Sequence, residues 1–373
     1  MKRIIRYVFL AAVLVWAFAL KCNAADFSLF DREIQQIEDS VSDSAADDLK
    51  ELGAPDVGDI IANGIDSGSV MDYLSGLIGE NSAQPLSALM ILTAVLLLVS
   101  VAESYTVSLR YTDTKDIMGL VVSLFIAAVV FSPAAQIVSS IVAVIEGASS
   151  LIAVYLPVMA GILAFSGRPI VSGAYYAAVM TACKVIASLA GALLEPLLHM
   201  ILSLSVCAGI STRFRLGGLI ETLSKGFKIA VTFSMSIFAA ILGLNGALSE
   251  AADSVADKAA KFTLSSFVPL IGSSIAEAYG AIRGSVGILR SGIGVFVIMA
   301  VFVAFAPVII QTILWSLTLF AARTAGEALG VNTAIPVLNA LSQFIAALRT
   351  VLIAVMTVFI IASGIMMKLG GSL

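Results

Sequence analysis

From residue 86 to residue 367 the chain returns repeatedly to apolar stretches of about twenty residues, the length that carries a helix across roughly 30 Å of hydrocarbon. With 60% hydrophobic and 12% charged residues, too little polar surface exists to clothe this chain as a water-soluble fold. The first such stretch runs from Leu86 to about Leu109. Others lie near 117–138, 151–166, 170–192, 196–211, 229–248, 293–320 and 344–367. Several are short or carry a charge. The pattern predicts an all-α integral membrane protein: a polytopic helical bundle of seven or eight spans, with amphipathic interfacial helices and a short exported N-terminal segment.

Charge is distributed unevenly. Residues 25–84 hold fourteen Asp and Glu against Arg32 and Lys50, while eleven acids and fifteen bases serve residues 85–373. Ahead of the acidic stretch stand Lys2, Arg3 and Arg6, an apolar core from Tyr7 to Leu20, and the small residues Ala24 and Ala25. That order reads as a secretory signal, cleaved after Ala24 or Ala25 or retained as an anchor. Lys21 ahead of Cys22 is a poor fit to a lipoprotein signal. The expected organisation is a signal peptide at 1–24, an exported acidic segment at 25–84 and a transmembrane domain at 85–373. Within the acidic segment Phe27, Phe30, Ile34, Ile37 and Val41 alternate spacings of three and four, one apolar stripe on a helix. Gly53, Pro55, Gly58, Gly64 and Gly68 then break the chain into short pieces.

An exported residue 25 fixes an orientation. The connection with Arg110 and Lys115 is then cytoplasmic, with Arg168, Arg213, Arg215, Lys225, Lys228 and Arg323 on the same side. Short turns near Glu146 and Glu195 face the other way and carry no base. Two connecting stretches read as interfacial helices. Leu216, Leu219, Ile220, Leu223 and Phe227 share one face, opposite Glu221 and Lys225. In the second, from Glu250, Val255, Ala259 and Phe262 oppose Asp253, Asp257 and Lys261.

Catalytic signatures are missing. No Gly-Lys pair exists, so there is no Walker A phosphate loop. One histidine, His199, excludes an HExxH zinc site, and no G-x-S-x-G elbow occurs. Cys183 and Cys207 lie in apolar runs and read as packing residues. No cofactor signature is found. The polar residues inside apolar runs, Glu103, Lys184, Glu195, His199 and Arg349, are candidates because charge is costly in lipid. Glu195 and His199 stand four apart across Pro196. Glu103 and Glu195 lie near span ends and Arg349 can snorkel, whereas Lys184 sits mid-run and needs another helix or a wet cavity.

Three stretches carry a family resemblance: LSALMILTAV at 86–95, YLPVMAGILAFSGRPIVSGA at 155–174 and ADSVADKAAKFTLSSFVPLIG at 252–272. They resemble the stage III sporulation protein AE family, with Arg168-Pro169 where a small or apolar pair is expected. The resemblance implies a non-enzymatic membrane component of a secretion-like channel complex between mother cell and forespore. It implies as partners the ring-forming and other membrane proteins of that complex, and a separate ATPase as energy source. It also implies a location in the mother-cell membrane, with the N-terminal segment in the intermembrane space. Asp253, Asp257, Lys258, Lys261, Phe262 and Pro269 mark the candidate assembly helix within the third stretch. A stand-alone solute or ion permease using the intramembrane charges is the alternative.

Overall fold

The computed structural model describes residues 31–64, 66–108, 113–165, 169–189, 231–244, 272–331 and 333–368, with scattered positions between 196 and 229. Every regular element among these residues is a helix. Three short ones come first: α1 (Asp31–Glu38), α2 (Asp43–Glu51) and α3 (Val57–Asn63). Long ones follow: α4 (Ser67–Ser108), α5 (Asp113–Phe165), α6 (Pro169–Leu189), α7 (Val231–Leu244), α8 (Gly272–Ala328) and α9 (Ile335–Lys368).

The short helices stop where the glycines demand it. Gly53 has φ 70°, and the amide of Ala54 bonds the carbonyl of Leu49 at 3.0 Å while that of Gly53 bonds Lys50 at 3.0 Å. This is a Schellman closure, which needs a left-handed residue that glycine adopts without steric cost. Gly330 repeats the device (φ 75°, with Val331 N–H on Gly326 O at 3.0 Å) and turns α8 toward α9.

Polar contacts set the directions of the long helices. Tyr73 faces Val303, Thr318 donates to the Pro85 carbonyl at 3.2 Å, and Ser100 donates to the Leu329 carbonyl at 2.9 Å. The numbers rise together, so α4 and α8 are parallel. Arg349 meets Ser316 and Phe359 lies edge-on to Phe305 at 6.4 Å, so α9 returns antiparallel to α8. Close approach at the far end depends on Gly294, where any Cβ would press on Met367 at 2.9 Å. α5 and α6 form an antiparallel hairpin, with Ser172 donating to the Ala160 carbonyl at 2.7 Å. α9 is the central helix: no large hydrophobic on it is exposed.

Four helices among the described residues are long and apolar enough to cross a membrane: Gly68–Tyr105, Val121–Ala164, Val286–Ala328 and Ile335–Lys368. Seven or eight were expected. Part of the difference is that the stretches 117–138 and 151–166 belong to one helix of 53 residues, α5. The turn expected near Glu146 does not form. Ile141, Ile145, Ala148 and Ile152 continue the buried face through it, and Glu146 lies on the exposed face of an unbroken helix. The two ends of α5, at Asp113 and Phe165, are about 80 Å apart at 1.5 Å per residue; Arg110 and Arg168, expected on one side, lie outside the described residues. The expected boundary at residue 84 likewise falls inside α4, which runs on through Pro85.

The acidic segment is docked. Ile37, Val41, Ala45, Leu49 and Leu52 are buried in spacings of three and four, followed by Ala54, Val57, Ile60 and Ile61. α1 packs on α5, α2 on α4 and α8, and α3 on α8. Asp31, Asp39, Asp43, Asp47 and Glu51 point to the exposed side. Each fully buried Leu, Ile or Val contributes roughly 1.5–3 kcal/mol to this docking. Leu49→Asp puts an unpaired carboxylate in a closed site and is expected to release residues 31–63 to limited proteolysis. Asp47→Ala loses only an exposed ion pair to Lys50, worth about 1 kcal/mol or less, and is expected to leave protection intact. Equal protease resistance in both variants contradicts the docked arrangement.

Candidate functional site

The first candidate is the seam between the acidic helices and the bundle. Asp56 caps α3, accepting from Asp59 N–H at 2.7 Å, and Glu38 of α1 accepts from Val57 N–H at 3.0 Å. Two amide donors at the start of α3 are thus satisfied, one by its own cap and one by a neighbouring helix. The Tyr73 hydroxyl donates to Asp48 Oδ2 at 2.9 Å and joins α2 to α4. On the bundle side, Gly292 lies under Ile61 so closely that a Cβ there would collide with it. Ile34, Ile37 and Val41 show up in the sequence as a stripe. Glu38 and Asp48 did not stand out there, because among fourteen acids nothing distinguishes two that accept hydrogen bonds.

The intramembrane candidates are not gathered into one centre. Lys184 is exposed on α6, and His199 is exposed with its carbonyl accepting from Ser203 at 2.9 Å. Glu195 lies outside the described residues, so the Glu195–His199 pair does too. Arg349 is half-buried, and its Nη1 donates to Ser316 Oγ at 3.0 Å. Lys228 comes within electrostatic reach of it. Glu103 Oε1 accepts from Thr333 at 3.2 Å, a contact between the ends of α4 and the α8–α9 turn. Asp253, Asp257, Lys258, Lys261, Phe262 and Pro269 lie outside the described residues, as does the interfacial helix they begin.

A buried polar cluster was missed in the sequence. Tyr155 donates to the Ser363 carbonyl at 3.3 Å and Tyr175 to the Ala362 carbonyl at 2.9 Å, both hydroxyls meeting α9 one residue apart. Arg290, 5% exposed, sits within electrostatic reach of Tyr155. The two hydroxyls tie α5 and α6 to α9, and Arg290 brings α8 beside Tyr155. Tyrosines scattered over 200 residues leave no local signal of such convergence. Outwardly, α7 presents Phe233, Ile237, Ile241 and Leu244 in one exposed apolar stripe. Among the described residues no cluster of three or more His, Cys, Asp or Glu could hold a metal ion.

The seam has a pH dependence of determinate sign. Burial pushes the Glu38 carboxyl above its usual range, opposed by the Val57 amide and reinforced by Asp56 and Asp39. A carboxyl raised in the folded state favours docking fully below the ordinary carboxylate range. The contribution is lost as pH rises through the folded value. Glu38→Gln keeps an acceptor for Val57 and removes the titration. Amide exchange in residues 31–63 is therefore expected to slow less on mild acidification in Glu38→Gln than in the wild type. Identical pH slopes overturn the assignment.

Residues 61–370 match the family model described as stage III sporulation protein AE. No curated protein and no solved structure matches significantly. The matched region begins within α3 and reaches the end of α9, taking in the whole bundle onto which α1 and α2 dock. The chain belongs to the stage III sporulation protein AE family, and is a sporulation-related membrane protein.

Proposed function

We propose that this chain is a non-enzymatic integral component of a secretion-like channel complex connecting mother cell and forespore, needed for forespore development. The observation that carries this reading is the family match over residues 61–370. Its partners are the ring-forming and other membrane proteins of the complex and a separate ATPase, and it needs no cofactor of its own. The protein resides in the mother-cell membrane around the forespore, and the acidic helices face the intermembrane space. The absence of a phosphate loop from the sequence agrees with energy supplied by another subunit. The docked acidic face, with its exposed Asp31, Asp39, Asp43, Asp47 and Glu51, is a water-facing surface suited to soluble partners.

Affinity capture of the full chain from crosslinked sporulating membranes is expected to recover the ATPase and ring subunits. Transport of a solute by the purified protein alone in liposomes, abolished by Lys184→Ala, contradicts the reading and installs the permease instead. The candidate assembly helix supplies a second check. Asp253→Leu or Lys261→Leu is expected to lower sporulation efficiency more than Asp31→Asn, whose side chain lies on the exposed face of α1. Equal efficiency in all three removes the 252–272 stretch from the assembly surface.

A further inference from the structure

The exposed faces of the long helices change character at one level along the bundle. On α4 the exposed large residues Leu86, Met90, Ile91, Leu97, Leu98, Val101 and Tyr105 cover about 29 Å, the thickness of a bilayer's hydrocarbon core. Before Leu86 the same helix exposes Asp72, Ser75, Gly79, Glu80 and Gln84, with Met71 and Ile78 as isolated apolar exceptions. On the antiparallel α5 the order is reversed. Val121, Leu124, Phe125 and Phe131 are exposed first; the outer stripe then becomes Ser132, Gln136, Ser139, Glu146 and Ser150 with the small Ala143 and Gly147 between them, and Pro157, Gly161 and Ala164 follow.

Measured from the connection at 109–112, α4 switches about 33 Å away and α5 about 27 Å away, so two helices change from apolar to polar at nearly the same height. A third helix agrees in where its apolar exposure begins. Among the described side chains of α8, which start at Val286, the exposed large apolar ones are Leu317 and Phe320, and Thr318 of that turn touches Pro85 at the switch on α4. Beyond Phe320 α8 carries the Arg323–Glu327 pair (2.8 Å), which the Thr318–Pro85 and Ser100–Leu329 contacts place level with the apolar belt of α4, its two charges neutralising each other. At the switch itself stand Ser316 and the Arg349 guanidinium, a charge suited to a headgroup layer.

We propose that the bilayer encloses only the end of the bundle built by Leu86–Tyr105 and Val121–Phe131. The remaining lengths of α5, α6, α8 and α9 then project into water on the side of the acidic helices. This goes beyond the channel-complex reading and does not depend on it. Helices of 53 and 57 residues reach about 80–85 Å, far more than one hydrocarbon core. Their surplus is sheltered by protein: α9 lies at the centre, 83% of the most apolar window of α8 is buried, and α2 and α3 pack on α8. For α4, by contrast, 28% of the corresponding window is buried, as a lipid-facing helix requires.

The outer face of α6 fits the same division. Its exposed residues are Gly173, Ala174, Ala177, Thr181, Lys184, Val185 and Ser188, with one large apolar side chain among them. The Ser172–Ala160 register puts Lys184 between Glu146 and Ser150, near the far end of the α5 polar stripe and about 25 Å beyond Phe131. Lys184 then needs neither a partner helix nor a cavity, because water solvates it. The sequence stretches 151–166 and 170–192 become a water-exposed hairpin with a buried apolar seam.

The test is site-directed spin labelling of the full chain, with Cys22, Cys183 and Cys207 replaced by Ser, in phosphatidylethanolamine–phosphatidylglycerol vesicles. A nitroxide is placed at Met90, Leu98, Phe125, Gln136, Ser139, Ser150 or Lys184 through a cysteine. Collision rates are read against molecular oxygen, which concentrates in lipid, and a water-soluble nickel chelate, which hydrocarbon excludes. Oxygen is expected to dominate at positions 90, 98 and 125, and the chelate at 136, 139, 150 and 184, with the ratio of the two reversing by about tenfold or more between the groups. Oxygen dominance at 139, 150 and 184 overturns the proposal by placing the stripe in lipid. Shielding from both reagents there overturns it equally, by placing a second protein surface on the stripe. Wild-type sporulation by the cysteine-substituted chain verifies that the labelled protein folds.

Discussion

A helix in hydrocarbon satisfies its backbone internally, but it must still match the thickness of the layer it crosses. Helices of 42, 53 and 57 residues cannot do so along their whole length. Everything else in this architecture answers that surplus. The central α9 gives the long helices a common apolar axis. The tyrosines at 155 and 175 spend their hydroxyls on α9 carbonyls, and so pin the far end of the bundle. The acidic helices lay their apolar faces on α4, α5 and α8 and turn most of their carboxylates outward, converting an apolar flank into a wettable one.

Much of this was legible in the sequence, and the exceptions have physical causes. The apolar run beginning at Leu86 coincides with the start of the exposed apolar belt on α4. Of the predicted stripe, Ile34 and Ile37 lie on α1 and Val41 is buried in the bend after it, while Phe27 and Phe30 lie outside the described residues. Gly53 and Gly64 end helices, whereas Gly58 and Gly68 lie inside α3 and α4. Two further helices in the acidic segment, α2 and α3, were not separated there, since seven to nine residues give too few turns for periodicity to stand out. The continuity of α5 was hidden by Glu146. A carboxylate between apolar runs reads as a turn, yet one on the outer face of a long helix interrupts nothing.

The candidate site was less legible. Lys184 was expected to face another helix or a wet cavity, yet it is exposed on α6, and that exposure comes from the register of α6 on α5, which no single segment encodes. Arg290 went unnoticed because it borders apolar runs at a helix position whose burial only tertiary packing creates. Glu38 and Asp48 become functional in the docking seam through contacts to residues 19 and 25 positions away. Family membership supplies the biological setting; the structure supplies a bundle with an apolar outer face on α4 at one end and the acidic helices packed against the other.

The most direct test of the proposed division of that bundle between lipid and water is neutron reflectometry on a supported bilayer containing the full chain. If one end is embedded and the remainder projects, protein density extends about 50 Å beyond a single leaflet, the reach of α5 past Phe131. Density confined to the bilayer and its headgroups, or spread equally beyond both leaflets, contradicts the account.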